Sequence, residues 1–280
     1  MIQLVTEPLS YEFMRRALFA AALTGAITSL IGTYVVLRGM AFLGGALSHA
    51  VLPGAAIAYV WGHSTALGAF FAGLFTAAGI GFVGRHPDLK QDTAIGILMS
   101  GMFALGIAII STIKTYTVDL ANFLFGNVLA VSMADIWLMM CISVLILLAL
   151  WLFHHRWVIL GFDPNFAAAV GLPVRALHYG LMVSISLVIV AAMKVVGVIQ
   201  VVAMLVTPPA TARLLSNRLS TMMWLSALLG SLAAVVGLYV SYYLNVASGA
   251  AIVIVSVVIF FAVFLNSSRR IAQGVWKSRE

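Results

Sequence analysis

Apolar runs of about twenty residues recur along the whole chain, and no other feature limits its folding so strongly. A run of that length crosses the hydrocarbon of a bilayer as a helix. In hydrocarbon the backbone must satisfy its own N–H and C=O groups, so helices or a closed barrel are the only options. At ~20 residues per crossing, about nine spans can be placed. They lie near 15–37, 40–62, 64–84, 94–113, 134–153, 177–194, 196–212, 221–243 and 248–266. Composition agrees: 63% of the 280 residues are hydrophobic and only 8% are charged, too little charge for a water-facing exterior. The expectation is an all-α polytopic membrane helical bundle, with residues 1–280 forming one membrane domain.

The formal charge of +7 does not indicate a nucleic-acid partner. Lys and Arg are dispersed among the apolar runs, mostly at span ends, as they are where basic residues hold cytoplasmic loops in place. Four segments carry most of them: 85–92 (RHPDLKQD), 154–179, 213–218 (RLLSNR) and the tail 269–280. An even number of spans separates each consecutive pair, so all four can face the cytoplasm. That puts the C-terminus inside and the N-terminus outside, leaving Arg15 and Arg16 on the outer side against the rule. These arginines precede a run of span length, which reads as the first transmembrane helix rather than a cleaved signal peptide. Residues 114–133 are too short in apolar content to span and suit a re-entrant or interfacial segment on the outer side. The single cysteine, Cys141, lies in an apolar run and can form no internal disulfide.

Polar residues inside the spans are few. In MAFLGGALSHAVLPGAAIAYVWG (40–62), Ser48, His49 and Pro53 fall near the middle. A full charge at that depth costs roughly 2.5–3.5 kcal/mol, and even a neutral imidazole needs partners. His49 is therefore either a packed histidine bonded to a neighbouring helix or a ligand facing a pathway. Gly45 lies one turn earlier on the same face, and Pro53 removes the hydrogen bond to the His49 carbonyl. Helices broken at mid-membrane line cavities or are buried in protein. A second span, 196–218, carries Gln200, then Thr207 and Thr211 one turn apart, with Pro208 and Pro209 disturbing the helix. It is either a kinked structural helix or one that flexes during gating. Asn245 and Ser248 fall in an outer turn between the last two spans, where such residues are ordinary. Gly44–Ser48, Ala46–Ala50 and Gly68–Ala72 are pairs of small residues that let helices approach closely.

The segment 154–179 reads as a loop holding a short helix, a turn and a second short helix. Asp163 caps the first, Pro164 opens it, Ala167, Ala168 and Ala169 give it a smooth face, and Gly171 closes it before Pro173. Such a block suits docking against another protein. No phosphate-binding GxxxxGK[ST], HExxH or GxSxG motif is present, and the eight acidic residues fall mostly in loops. Enzymatic chemistry is not indicated.

The stretches LRGMAFLGGALSHAVLPGAAIAY (37–59), NFLFGNVLAVS (122–132), FDPNFAAAVGLPV (162–174), VVAMLVTPPATARLL (201–215) and YYLNVASGAAIV (242–253) resemble the permease subunits of bacterial ABC importers for manganese, zinc and iron. The resemblance covers essentially the whole chain. It implies a pair of permeases, identical or not, in the bacterial inner membrane. A separate ABC ATP-binding subunit would hydrolyse ATP on the cytoplasmic side, and an extracytoplasmic metal-binding protein would deliver the ion. The fold would be like that of the vitamin B12 importers with one early span missing. Residues 162–174 would couple to the ATPase through Asp163, Pro164, Ala167, Ala168 and Gly171. His49, with Ser48 and Asn245, would contact the passing ion, and Pro53, Thr207, Pro208 and Pro209 would supply hinges. No stably bound cofactor is implied. Many relatives carry Asp where this chain has Gly45 and Asn245. Carboxylates suit Mn²⁺ and imidazole suits Zn²⁺ among others, so these departures tilt the expectation toward zinc. The rival readings are an ABC permease for a metal chelate or vitamin, and a proton-coupled secondary metal transporter with His49 as proton carrier. The near absence of intramembrane carboxylates argues against the latter.

Overall fold

The structure, a computed structural model, describes residues 2–84, 89, 91–112, 128 and 131–272. The basic segment at 85–92, the outer segment at 114–133 and the tail at 269–280 fall mostly outside the described residues. Helices account for nearly all of the rest. In chain order they are α1 (Ile2–Leu9), α2 (Glu12–Leu37), α3 (Ala41–Ala50), α4 (Leu52–Val60), α5 (Thr65–Val83) and α6 (Gln91–Ser111). There follow α7 (Met133–Phe162), α8 (Pro164–Ala169), α9 (Val174–Val196), α10 (Val198–Leu215), α11 (Leu219–Leu244) and α12 (Ser248–Ala272). Among the described residues, eight helical segments are long and apolar enough to cross a membrane, α3 and α4 counting together as one. The apolar helix α5, 19 residues long, makes a ninth and would reach about 28 Å at 1.5 Å per residue. This is the span pattern read from the sequence.

The bundle is arranged around α2, which packs on α7, α9, α10 and α11. Its most apolar stretch is 67% buried and that of α9 72%, against 17% for α6 and 28% for α7 and α12. The outer helices turn large side chains such as Trp137, Trp151, Ile254 and Phe261 outward, as lipid-facing helices do. Lipid tails are as apolar as these side chains, so burial alone gives no drive for helices to pair, and close packing must supply it. Small residues make that packing possible. A Cβ on Gly25 would collide with the backbone of Gly230, and one on Gly68 with the backbone of Gly54. Hydroxyl bonds cross the same seams. Ser231 Oγ donates to the Ala22 carbonyl at 3.1 Å, and Thr33 Oγ1 to Ser226 Oγ at 3.2 Å.

Two expectations need correction. The loop placed at 154–179 is far shorter, because α7 continues to Phe162 and α9 begins at Val174. The apparent second short helix is the opening of α9. Residues 154–162 stay helical because they have inward partners: His154 Nδ1 lies 2.7 Å from the Tyr34 hydroxyl, and Trp157 Nε1 donates to the Leu177 carbonyl at 3.0 Å. The prolines at 208 and 209 do not interrupt α10, which runs unbroken through them. Pro208 deprives the Met204 carbonyl of its helical partner, and Ser29 Oγ replaces it at 3.0 Å. The break in this region is at Gly197, whose φ of 83° and ψ of 166° are available essentially to glycine alone.

Gly68→Val should cost about 1–3 kcal/mol as an overpacked contact, read as a lower unfolding temperature of the detergent-solubilised protein. Gly101→Ala, where a Cβ would meet nothing within 4 Å, should leave that temperature unchanged or slightly raised.

Candidate functional site

The span from 41 to 60 folds as two helices with Val51 between them. Pro53 has no N–H to extend α3, and its fixed φ suits the opening turn of α4. Protein covers this break. A Cβ on Gly106 of α6 would stand 3.1 Å from Pro53 N, and one on Gly73 of α5 would stand 3.2 Å from Val51 Cγ1. The discontinuity is thus sealed by glycines on two neighbouring helices. It re-aims the chain without exposing backbone to lipid.

The open side of the span lies one turn earlier. Along α3, Leu43, Gly44, Ala46, Leu47, Ser48 and Ala50 are buried, while Ala41, Gly45 and His49 are half-exposed. Those three share one face at intervals of four residues. The strip is flanked by α6, whose Phe103 meets the His49 ring edge-on at 5.1 Å, and by α10, whose Val202 Cγ1 would lie 3.9 Å from a Cβ on Gly45. On α10 the half-exposed residues Val202, Ala203, Val206, Thr207 and Ala210 form the matching face. Gly45 therefore faces Val202 of α10, on the half-exposed side that also carries Thr207, as the sequence alone could not show.

Many buried hydroxyls are satisfied by the carbonyl one turn earlier, as with Thr28, Ser143, Thr211 and Ser226. His49 Nδ1, Ser48 Oγ and both amide atoms of Gln200 are buried with no partner among the described residues, as are Arg16 Nε, Thr24 Oγ1 and Ser186 Oγ elsewhere in the bundle. A buried polar atom without a partner costs roughly 1–3 kcal/mol, and such sites call for a functional explanation. Ser48 and His49 are neighbours in sequence, but their side chains diverge. Ser48 is fully buried and His49 borders the open strip.

The other sequence-derived candidates lie apart. Asn245 caps α11 in the left-handed conformation, φ 56° and ψ 38°, with Ser241 Oγ closing the turn on the Val246 carbonyl at 2.7 Å. Turn geometry accounts for an asparagine there. Among the described residues no three His, Cys, Asp or Glu side chains gather as a metal cage. Pro208, Pro209 and Thr211 are buried within α10. Asp163 caps α8 as expected, its Oδ1 accepting from the N–H groups of Asn165 and Phe166 at 2.9 and 3.0 Å. Gly171 closes the turn at φ 78°. Ala167 is fully buried, so it seats α8 on its own bundle and has no surface for a partner. Pro164 and Ala168 are exposed. Phe162, Phe166 and Val170, not singled out from the sequence, are 70%, 55% and 56% exposed, on the two sides of the extended Asp163. Next to a span end an apolar residue in the sequence reads as more of the span.

Comparison with known proteins places the whole chain. Residues 10–267 match the ABC 3 transport family. The manganese transport system membrane protein MntC of Listeria innocua is 48% identical, with 94% of this chain and 93% of that protein covered. The chelated iron transport system membrane protein YfeD of Yersinia pestis is 38% identical, covering 95% and 89%. Among solved structures, a chain of PsaBC from Streptococcus pneumoniae in complex with Fab is 41% identical with a TM-score of 0.84, covering 94% of this chain and 95% of that one.

His49→Ala should change the unfolding free energy by no more than roughly 1 kcal/mol, since Nδ1 gives up no hydrogen bond within the chain. Thermal unfolding in detergent checks this. A collapse of the fold would make His49 a packing residue.

Proposed function

The chain belongs to the ABC 3 transport family, and from that premise we propose that it is the membrane permease of an ATP-driven importer for a divalent transition metal ion, with manganese as its principal cargo. The reading is carried by the half-open strip of Ala41, Gly45 and His49 in a chain 48% identical, over 94% of its length, to a manganese transport protein. A second permease, identical or paralogous, covers the strip, and the ion passes between the two subunits. The single membrane domain sits in the bacterial inner membrane with its C-terminus in the cytoplasm. Pairing of Arg16 with Glu12 on α2 supports this orientation, because it offsets one of the two outer arginines. An extracytoplasmic binding protein delivers the ion, and a separate ATPase hydrolyses ATP.

His49 is the ligand on this wall. Ser48 lies buried behind it, Asn245 lies toward the outer mouth, and the Thr207–Pro209 segment moves with the gate. The tilt toward zinc that the imidazole gave is set aside, because the relatives are named for manganese and iron. A pathway must also release its ion, so weak ligation without carboxylates is compatible with manganese. At the cytoplasmic end, Asp163, Pro164, Ala168 and Gly171 shape α8, and Phe162, Phe166 and Val170 provide its apolar contact with the ATPase. A row of large apolar side chains just outside the membrane is the composition of a partner surface.

Expression with its own ATPase and binding protein, in a bacterium lacking manganese, zinc and iron importers, should restore cellular manganese measured by mass spectrometry. Restoration of zinc or iron alone would overturn the cargo assignment. His49→Ala should lower accumulation about tenfold with the complex intact. Phe166→Glu should abolish accumulation by preventing co-purification of the ATPase, a separation of effects that distinguishes pathway from coupling.

A further inference from the structure

The end of the bundle that carries α8 holds a polar feature that the transport reading does not use. A cleft of about 550 Å³ opens between the C-terminal ends of α5 and α7 and the start of α9, with Arg38, just past α2, in its wall. Arg175 and His178 on α9 and Pro164 of α8 also line it. Arg38 is half-buried. Its Nη1 donates to Nδ1 of His178 at 3.3 Å and its Nη2 to the Leu160 carbonyl at 3.5 Å. A guanidinium has five N–H donors, so the fork is only partly used. Among the described residues, neither Arg38 nor Arg175 pairs with a carboxylate. Burial pushes Arg38 down, to about 10, which leaves it charged at neutral pH. A half-buried cation without a counter-charge is costly. The floor of the cleft is bare at Gly161, where a Cβ would stand 4.0 Å from Arg38 Cγ and Nε.

Depth points to the counter-charge. Apart from Pro164 of α8, every wall of the cleft is the end of a span, where lipid head groups lie. Basic pockets between membrane helices at the cytoplasmic face take phosphate-bearing head groups, and two planar guanidinium forks match phosphate oxygens in geometry and charge.

We propose that this cleft binds a phosphate group between Arg38 and Arg175, supplied by the head group of an anionic phospholipid or by free phosphate. His178 orients Arg38 from behind. A phosphate held there ties the end of α2 to the start of α9 beside α8 and so stiffens the end that contacts the ATPase. That consequence rests on the docking role proposed above for α8, whereas binding does not.

The test uses the complex of this chain with its ATPase, purified in detergent. Native mass spectrometry reads retained phosphatidylglycerol against phosphatidylcholine, and equilibrium dialysis reads uptake of radiolabelled orthophosphate. The wild type should retain phosphatidylglycerol selectively or take up orthophosphate. Arg175→Gln and Gly161→Leu should each weaken this about tenfold, the scale of one charge-assisted contact, while still co-purifying with the ATPase. Arg175 is exposed and Gly161 half-buried, so neither variant depends on removing the more buried Arg38. Selective retention of lipid without orthophosphate uptake identifies the head group as the source, and uptake of orthophosphate identifies the free ion. Binding of neither probe, or equal binding by wild type and both variants, overturns the proposal. So does loss of the ATPase from Arg175→Gln with no phosphate bound by the wild type, which would assign the counter-charge to a carboxylate of the ATPase. None of these readouts involves metal, so they are independent of whether the chain imports manganese.

Discussion

The structure depends on one constraint: a backbone in hydrocarbon has no water to bond. Every carbonyl freed within the bundle must find a protein partner or be sealed by close packing. The contact of Ser29 with Met204 shows how this works. Pro208 strips the Met204 carbonyl of its helical N–H, and a hydroxyl from α2 takes its place at 3.0 Å. One residue on, Pro209 frees the Leu205 carbonyl, against which Gly32 of α2 lies so closely that no side chain would fit. The two prolines are thus compatible with an unbroken α10 because α2 is small and polar where it meets them. The centrality of α2 follows from that role.

The same constraint explains the shape of the site. The break at Val51 is sealed by Gly73 and Gly106 on two neighbouring helices, and His49, just before it, meets Phe103 of the same α6 at the end of the strip of Ala41, Gly45 and His49. Backbone irregularity and side-chain chemistry are therefore adjacent along one span, the first covered and the second half-exposed. Tolerating the irregularity requires burial, while an ion-handling imidazole requires access. Polar atoms at His49, Ser48 and Gln200 lack partners among the described residues, as do the hydroxyls of Thr24 and Ser186, whereas hydroxyls such as those of Thr28 and Ser143 bond to the preceding turn. An ion pathway needs polar atoms not already committed to the protein.

At the other end, buried and exposed residues are divided within a single turn of α8. Ala167 anchors the helix and Phe166 projects from it. The 30-residue α7, about 45 Å at 1.5 Å per residue, is longer than the hydrocarbon is thick. It carries this element beyond the hydrocarbon while Tyr34 and the start of α9 hold it in place. Arg38 and Arg175 lie beside that junction, so the two cations and α8 occupy one structural unit.

By itself the sequence determined the all-α bundle, the nine spans and the small-residue contacts, because hydrocarbon imposes length and composition on each segment independently. It also marked His49 and Pro53 as unusual, and it fixed the Asp163 cap and the Gly171 turn, which are local in chain distance. Family-like motifs such as SHAVLPG and TPPATARLL reached further, to the transport class. Tertiary structure alone decided the rest. It made the strip on α3 half-open while Ser48 one residue away is sealed, brought Val202 against Gly45, and kept α10 continuous through two prolines. It turned Ala167 inward, extended α7 to Phe162 and gathered Arg38 with Arg175. Each of these depends on which neighbour covers a given face, and that is set by contacts between residues far apart in the chain, which periodicity along one helix cannot encode.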